Sequence, residues 1–231
     1  EYLCVFFMIA SSLPFIRYVQ LTSGNFKATF FDSQVRAFLI ILISITVILF
    51  SWLMFQQTHT IEYALRKTLF NGVSILTGTG YSSDNYMLWG SFPISIFFVI
   101  GLIGGCAGST TCSIKVFRFQ ILFSAIGSQI KQMHFPSAVV ATRYEGKRVS
   151  VDIVSSVIAF FILFFASLFL IALALSATGL DFVTAISGAV STLANIGPGL
   201  GERICPIGNY AELNNLAKLI LIFSMFVGRL E

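Results

Sequence analysis

Ser74-Ile75-Leu76-Thr77-Gly78-Thr79-Gly80-Tyr81-Ser82-Ser83 follows directly on an amphipathic helical pattern and interrupts a chain otherwise built from lipid-compatible residues. Lipid cannot satisfy backbone N–H and C=O groups, so a non-helical segment at membrane depth must line water, line ions or be buried in protein. Thr-Gly-Thr-Gly-Tyr is suited to turning successive carbonyl oxygens towards a dehydrated cation. Gly78 and Gly80 supply the freedom, because glycine accepts positive φ. A second interruption of the same kind, Leu193-Ala194-Asn195-Ile196-Gly197-Pro198-Gly199-Leu200-Gly201, lies 117 residues further on. There Gly197 and Gly199 are expected to take that part, with Pro198 stiffening the exit. Neither strand contains a carboxylate, so the expected ligands are backbone oxygens. Two such breaks imply an internally repeated pore.

The composition sets the solvent. The chain is 56% hydrophobic and 10% charged, with 25 Phe and a mean hydropathy of +0.89. A soluble domain carries about 25% charged residues, so a lipid bilayer is the expected partner and a multi-span membrane protein the expected class. Cys4, Cys106, Cys112 and Cys205 are scattered without zinc-finger or thioredoxin spacing and read as small apolar residues. The chain starts without Met inside an apolar run and closes on Gly228-Arg229-Leu230-Glu231, so it reads as part of a longer protein. No signal peptide is recognisable.

Working outward from the first break, Thr58 to Leu76 carries Glu62, Arg66 and Lys67 and is too charged to face lipid; it predicts a short re-entrant helix. Before it, Ala37 to Phe55 holds no charge over 19 residues, about 28 Å at helical rise, and spans a bilayer. Leu3 to Phe15 reads as the end of a membrane helix, and Arg17 to Arg36 as a polar connection. After the break, Phe92 to Ile103 is apolar but short, and it runs into Gly104-Gly105-Cys106-Ala107-Gly108-Ser109-Thr110-Thr111-Cys112-Ser113 before a helix resumes at Ile114. This is the pattern of a discontinuous membrane helix. Lys131 to Ser150 is a basic connector. The pattern then recurs: a span over Val151 to Ser176, a short helix over Asp181 to Leu193 with Asp181 as N-cap, the Asn-Ile-Gly-Pro-Gly strand, a polar loop over Glu202 to Glu212, and a last helix over Leu213 to Leu230. The fold class is therefore all-α integral membrane, built from repeated helix–pore helix–filter strand–helix units with one broken membrane helix. Residues 1–36 close one repeat and form a connector, 37–130 are a full repeat, 131–150 a cytoplasmic connector, and 151–231 a further repeat cut in its last helix.

Charge sets the orientation. The connectors hold Arg17, Lys27, Arg36, Lys115, Arg118, Lys131, Arg143, Lys147 and Arg148, whereas the opposite side holds Arg66, Lys67, Arg203 and Lys218. The positive-inside rule places the connectors in the cytoplasm and the filter strands towards the outside. Topology thus accounts for the net charge of +4 without nucleic acid.

Ile103 to Thr110, followed by Ile114-Lys115-Val116-Phe117-Arg118, resembles the signature of Trk/Ktr/HKT-type potassium transporters, in their bacterial TrkH-like branch. Asn195 to Gly201 and the terminal Gly228-Arg229-Leu230-Glu231 are similar to the same branch, and the likeness covers essentially the whole chain. The resemblance implies a potassium-channel-like pore of four repeats, with K+ as the transported ion and no covalently bound cofactor. It implies that Thr77, Gly78, Thr79 and Gly80 form the third filter strand and Ala194, Asn195, Ile196 and Gly197 the fourth. It makes Gly104 to Ser113 an intramembrane gating loop beneath the filter. Thr111-Cys112-Ser113 depart from the family's common glycine-rich ending, which makes the loop bulkier. Arg229, which would cost about 2.5–3.5 kcal/mol inside an apolar helix, becomes a positive barrier to cations below the filter; snorkelling to the surface is the other reading of its position. Lys115 and Arg118 become a basic cytoplasmic face. The resemblance further implies a bacterial inner membrane, the missing N-terminal half of the same protein, a homodimer and a cytosolic nucleotide-binding regulatory subunit.

Other chemistries fit less well. Gly104 to Thr110 lacks the lysine of a phosphate-binding loop, and Gly197 to Gly201 follows a membrane helix, not the strand of a dinucleotide site. His59 and His134 are isolated, and no nucleophile–base or metal set converges, so an enzyme is not expected. A secondary transporter for a small organic solute also uses broken helices and stays open as an alternative.

Overall fold

The structure is a computed structural model that describes residues 1–24, 32–56, 60–135, 140–201 and 203–229. Lys27, His59 and the last two residues of the terminal motif, Leu230 and Glu231, lie outside the described residues. Helix α1 (Tyr2–Ser11) bends by 94° into α2 (Phe15–Thr22). Pro14, at the N-cap of α2, enforces the break, because its ring cannot continue a helix. The polar connection expected from Arg17 therefore begins as a helix.

Helix α3 (Ser33–Phe55) starts four residues before the expected Ala37, because the Asp32 carboxylate accepts from the N–H groups of Gln34 and Val35 and caps it. Asp32 also pairs with Arg17. The re-entrant helix α4 (Ile61–Leu76) is capped by Thr60, and its last turn is buried. Beyond the first strand come a 3-10 turn (Tyr86–Trp89), α5 (Ser91–Gly101), the loop, and α6 (Val116–His134). A short antiparallel pair, β1 (Arg143–Tyr144) with β2 (Lys147–Arg148), sits in the connector expected to be irregular.

The second unit repeats the plan: α7 (Val151–Ala177), α8 (Phe182–Leu193) capped by Asp181 as expected, and α9 (Asn215–Arg229). Among the described residues, α3 and α7 are the helices long and apolar enough to cross a membrane singly. Exposed Ile40, Ile43 and Val47 on α3, and Ile162, Leu163, Phe169, Leu170 and Leu173 on α7, form outward faces suited to lipid or further helices.

The pore helices pack inside these spans. Ala64, Val73 and Leu76 of α4 and Ala185, Ala189 and Leu193 of α8 are almost fully buried. They share one core with Leu49, Leu53, Phe97, Ile100, Leu175 and Leu221. An aromatic wedge backs the strands: Tyr86 and Phe97 have ring centres 4.2 Å apart, and Trp89 completes the group. Trp52 of α3 reaches the Trp89 carbonyl at 2.9 Å, tying the span to the turn beyond the strand.

Candidate ion pathway and its loop

Both pore helices end in the same way. In the first unit, Thr77 N–H donates to Val73, Gly78 to Ile75 and Thr79 to Ser74. In the second, Ala194 donates to Val190, Asn195 to Thr192 and Ile196 to Ser191. The partners match one for one at the 117-residue offset seen in the sequence. The strand N–H groups are thus turned back onto the pore helix. Positive φ alternates along each strand, at Gly78 (66°) and Gly80 (77°) and at Asn195 (52°) and Gly197 (119°). The expectation that Gly197 and Gly199 share this part is corrected: Asn195 is the counterpart of Gly78. Asn tolerates the left-handed region better than most side chains. Gly199 serves packing instead, since a Cβ there would lie 2.3 Å from Ile204 Cδ1.

The two strands face each other. A Cβ on Gly80 would lie 2.0 Å from the Ile196 carbonyl oxygen, and one on Gly78 would lie 3.9 Å from the Asn195 oxygen. The Asn195 and Ile196 carbonyls therefore face the first strand. The C-termini of α4 and α8 meet here, and each carries about half a negative charge from its helix dipole. Thr77, Gly78, Thr79, Gly80, Ala194, Asn195, Ile196 and Gly197 are brought together as two facing strands. The outer ends are held from behind: Asn71 receives Ser83 N–H at 3.1 Å, Lys67 Nζ donates to the Ser83 carbonyl at 2.8 Å, and Ser187 both donates to and accepts from Leu200.

The segment from Gly104 to Ser113 lies against the inner end of the strands. Ile103 and Ile114 form a parallel bridge, so α5 and α6 enter and leave the loop side by side. Gly104 and Gly105 are required by closeness: a Cβ on the first would lie 2.1 Å from the Cys112 oxygen, and on the second 2.7 Å from Thr111 Oγ1. The outer part of the loop is pinned to the α1–α2 bend, where Cys106 N–H reaches the Ser12 carbonyl, Thr110 N–H the Ser11 carbonyl, and Phe15 N–H the Gly108 carbonyl. Ala107 N–H reaches Gln34 on α3 at 3.0 Å, and Ser109 donates to the Cys106 carbonyl at 2.7 Å.

The three residues that depart from the glycine-rich ending make specific contacts. Thr111 Oγ1 accepts from Gly105 N–H at 3.0 Å. Ser113, at φ 65°, aims its hydroxyl at the Gly101 carbonyl (3.0 Å) and at the carbonyl of Ala194, the first residue of the second strand (3.2 Å). Cys112 Sγ accepts from Arg229 Nη1. Sequence reasoning noted these side chains as bulk only; their partners are distant in the chain, and spacing carries no signal for them.

Arg229 ends α9 on the same side as the loop. With Ser109, Thr110, Thr111, Cys112, Lys115 and Gly228 it lines a polar cavity of about 270 Å³. Gly228 makes this approach possible, because a Cβ there would sit 1.9 Å from the Leu193 carbonyl. Lys115 is therefore beside Arg229, whereas Arg118 is directed elsewhere: its guanidinium stacks on Phe160 of α7, 3.6 Å from the ring centre. His134 is at the exposed end of α6.

Comparison with known proteins gives one consistent result. The family model described as a cation transport protein, TrkH, matches residues 28–231. The Trk system potassium uptake protein TrkI of Halomonas elongata is 40% identical over 225 residues, covering 97% of this chain and 46% of the relative. The Trk system potassium uptake protein TrkH of Vibrio parahaemolyticus is 32% identical over 231 residues, covering 98% and 47%. The crystal structure of the potassium transporter TrkH from Vibrio parahaemolyticus superposes with a TM-score of 0.90 at 31% identity, covering 97% of this chain and 48% of that one. The chain spans about half the length of the curated relatives it matches.

Proposed function

Because the chain belongs to the TrkH cation transport protein family, we propose that it forms half of a potassium-uptake pore in a bacterial inner membrane. The observation that carries this reading is the pair of facing strands with alternating positive φ, each with its N–H groups turned onto a pore helix. Such a backbone directs carbonyl oxygens to replace a cation's hydration shell. Ions move down their electrochemical gradient, driven by about 2.3 kcal/mol per charge per 100 mV. Thr77 to Gly80 and Ala194 to Gly197 are the two strands that flank the ion path, and K+ is the transported ion. Transport by an organic-solute carrier is the weaker reading, since facing carbonyl strands suit a bare cation.

The loop from Gly104 to Ser113 acts as the gate, and Arg229 as a fixed positive charge beneath it. The contacts of Ser113 with Ala194 and of Cys112 with Arg229 support a shut loop held at its C-terminal end, while the α1–α2 bend holds its outer part. The filter strands face outward and the connectors carrying Lys115 and Arg118 face the cytoplasm. The remaining two strands of a fourfold filter come from the other half of the same protein. A homodimer regulated by a cytosolic nucleotide-binding subunit follows from the family likeness.

The test is rubidium or potassium uptake by the full-length protein in cells lacking their own potassium transporters. Gly80→Asp is expected to abolish uptake at an unchanged membrane level, because any Cβ there meets the Ile196 oxygen at 2.0 Å. Unchanged uptake in that variant would remove the strand assignment.

A further inference from the structure

The Gly197 carbonyl has different partners from its neighbours. Its oxygen accepts from Ser191 Oγ at 2.6 Å and from Tyr210 Oη at 2.6 Å, and the two hydroxyls lie 3.1 Å apart. Ser191 belongs to α8 and Tyr210 to the segment leading into α9, so this oxygen is drawn back into the protein while the Asn195 and Ile196 oxygens face the opposite strand. The first strand has no matching arrangement among the described residues. Ser74 is the positional counterpart of Ser191, but its buried hydroxyl has no partner there. The Gly80 oxygen lies 3.9 Å from where a Gly197 Cβ would stand, so it is directed towards the second strand.

A proton count sharpens the picture. Ser191 and Tyr210 hold one hydroxyl proton each, and both are used if both donate to Gly197. Ser191 Oγ then keeps open lone pairs. Tyr86, only 1% exposed, carries a hydroxyl with no partner among the described residues. Tyr86 and Ser191 line one cavity of about 20 Å³ behind the second strand, together with Ile196 and Pro198. A space of this size holds one water and nothing larger. A water there would accept from Tyr86 and donate to Ser191, satisfying both.

We propose that Ser191 and Tyr210 anchor the Gly197 carbonyl, that one water bound beside Tyr86 completes the cluster, and that this anchor fixes the bore at the outer end of the filter. The proposal rests on the pore reading above. Gly197 is then a positioning residue whose oxygen faces away from the ion. Discrimination against sodium depends on holding the Asn195 and Ile196 oxygens at a set distance, since a smaller cation needs closer approach.

The experiment uses the full-length protein in vesicles with rubidium and sodium tracers. Ser191→Ala and Tyr210→Phe should each raise the sodium-to-rubidium uptake ratio slightly, because either hydroxyl alone still holds the oxygen. The double variant should raise it by about five-fold or more, the ratio that one neutral hydrogen bond supports. Ser191→Thr, which keeps a hydroxyl, should restore the parent ratio. An unchanged ratio in the double variant overturns the anchor. Thermal unfolding of the purified protein reads the same cluster without transport. The Ser191 and Tyr210 substitutions should lower the melting temperature non-additively, and Tyr86→Phe should cost less when Ser191 is already Ala. Strict additivity overturns the cluster and its water, whereas a parent protein that takes up no rubidium overturns the pore reading and leaves the unfolding test standing.

Discussion

Ser113 concentrates the argument at the scale of a single residue. A serine at φ 65° occupies a backbone region that costs a non-glycine residue about 1–3 kcal/mol. Its one hydroxyl proton, shared between the Gly101 and Ala194 carbonyls, offsets that cost by about 1 kcal/mol. The two terms can be separated. Ser113→Gly releases the strain and the contacts together, so stability should change by less than about 1 kcal/mol, while the loop loses its tie to the second strand and basal rubidium uptake rises several-fold. Ser113→Ala keeps the strain and loses the contacts, so the protein should melt earlier by an amount equivalent to about 1–2 kcal/mol. Parent-like melting of Ser113→Ala would show that the hydroxyl does not hold the loop. Arg229 belongs to the same level, because its contact with Cys112 joins its positive charge to the residue next to Ser113. A loop ending in glycines offers neither side chain, so these two contacts belong to a loop that ends in Thr111-Cys112-Ser113.

Among the elements, α4 and α8 set the course of the strands, because their last turns hold the strands and their first turns are held by caps. Asp181 accepts from Thr184 N–H at 3.0 Å, and hydrogen bonding from Thr184 keeps its carboxyl below the ordinary aspartate value. A lowered folded-state value means that the stabilisation is complete above the unfolded value and fades as the pH falls through the folded one. Asp181→Ala should therefore cost about 1 kcal/mol at neutral pH, and the loss should shrink below about pH 4; melting curves between pH 3 and 7 check both the sign and the window. Asp181 and the uncharged run of α3 could be read in advance, because a cap and apolar length are local signals. The strands were legible for the same reason: glycine alternation is written in the chain. The early start of α3 was masked by Arg36 at the edge of the uncharged run, although the Asp32 cap is the same kind of local signal, and the helix at Phe15–Thr22 was masked by the bend at Pro14. The part played by Asn195 was hidden too, because asparagine adopts positive φ only where its neighbours demand it. The Ser191–Tyr210–Gly197 cluster joins residues whose meeting depends on how α8, the strand and the approach to α9 pack, and no local pattern reports that.

For the whole molecule the decisive quantity is the number of strands around the ion. Two facing strands present oxygens from two sides, whereas a dehydrated cation needs a closed ring of them. The outward faces of α3 and α7 are apolar, and the wall opposite the strands must come from elsewhere, since these residues supply two strands and the matched relatives are about twice as long. Residues 1–231 expressed alone should therefore reach the membrane and support no rubidium uptake. Expression together with a separate chain that supplies the half of the relatives not covered here should restore it, because a ring closed by packing against the apolar faces of α3 and α7 needs no peptide bond. The restored activity should disappear again with Gly80→Asp in the half described above, which ties it to this filter and not to a resident transporter. Potassium-selective current from residues 1–231 alone, purified and free of the other half, would mean that two strands suffice, for instance by pairing with a second copy, and would replace the four-repeat ring with a dimer of halves.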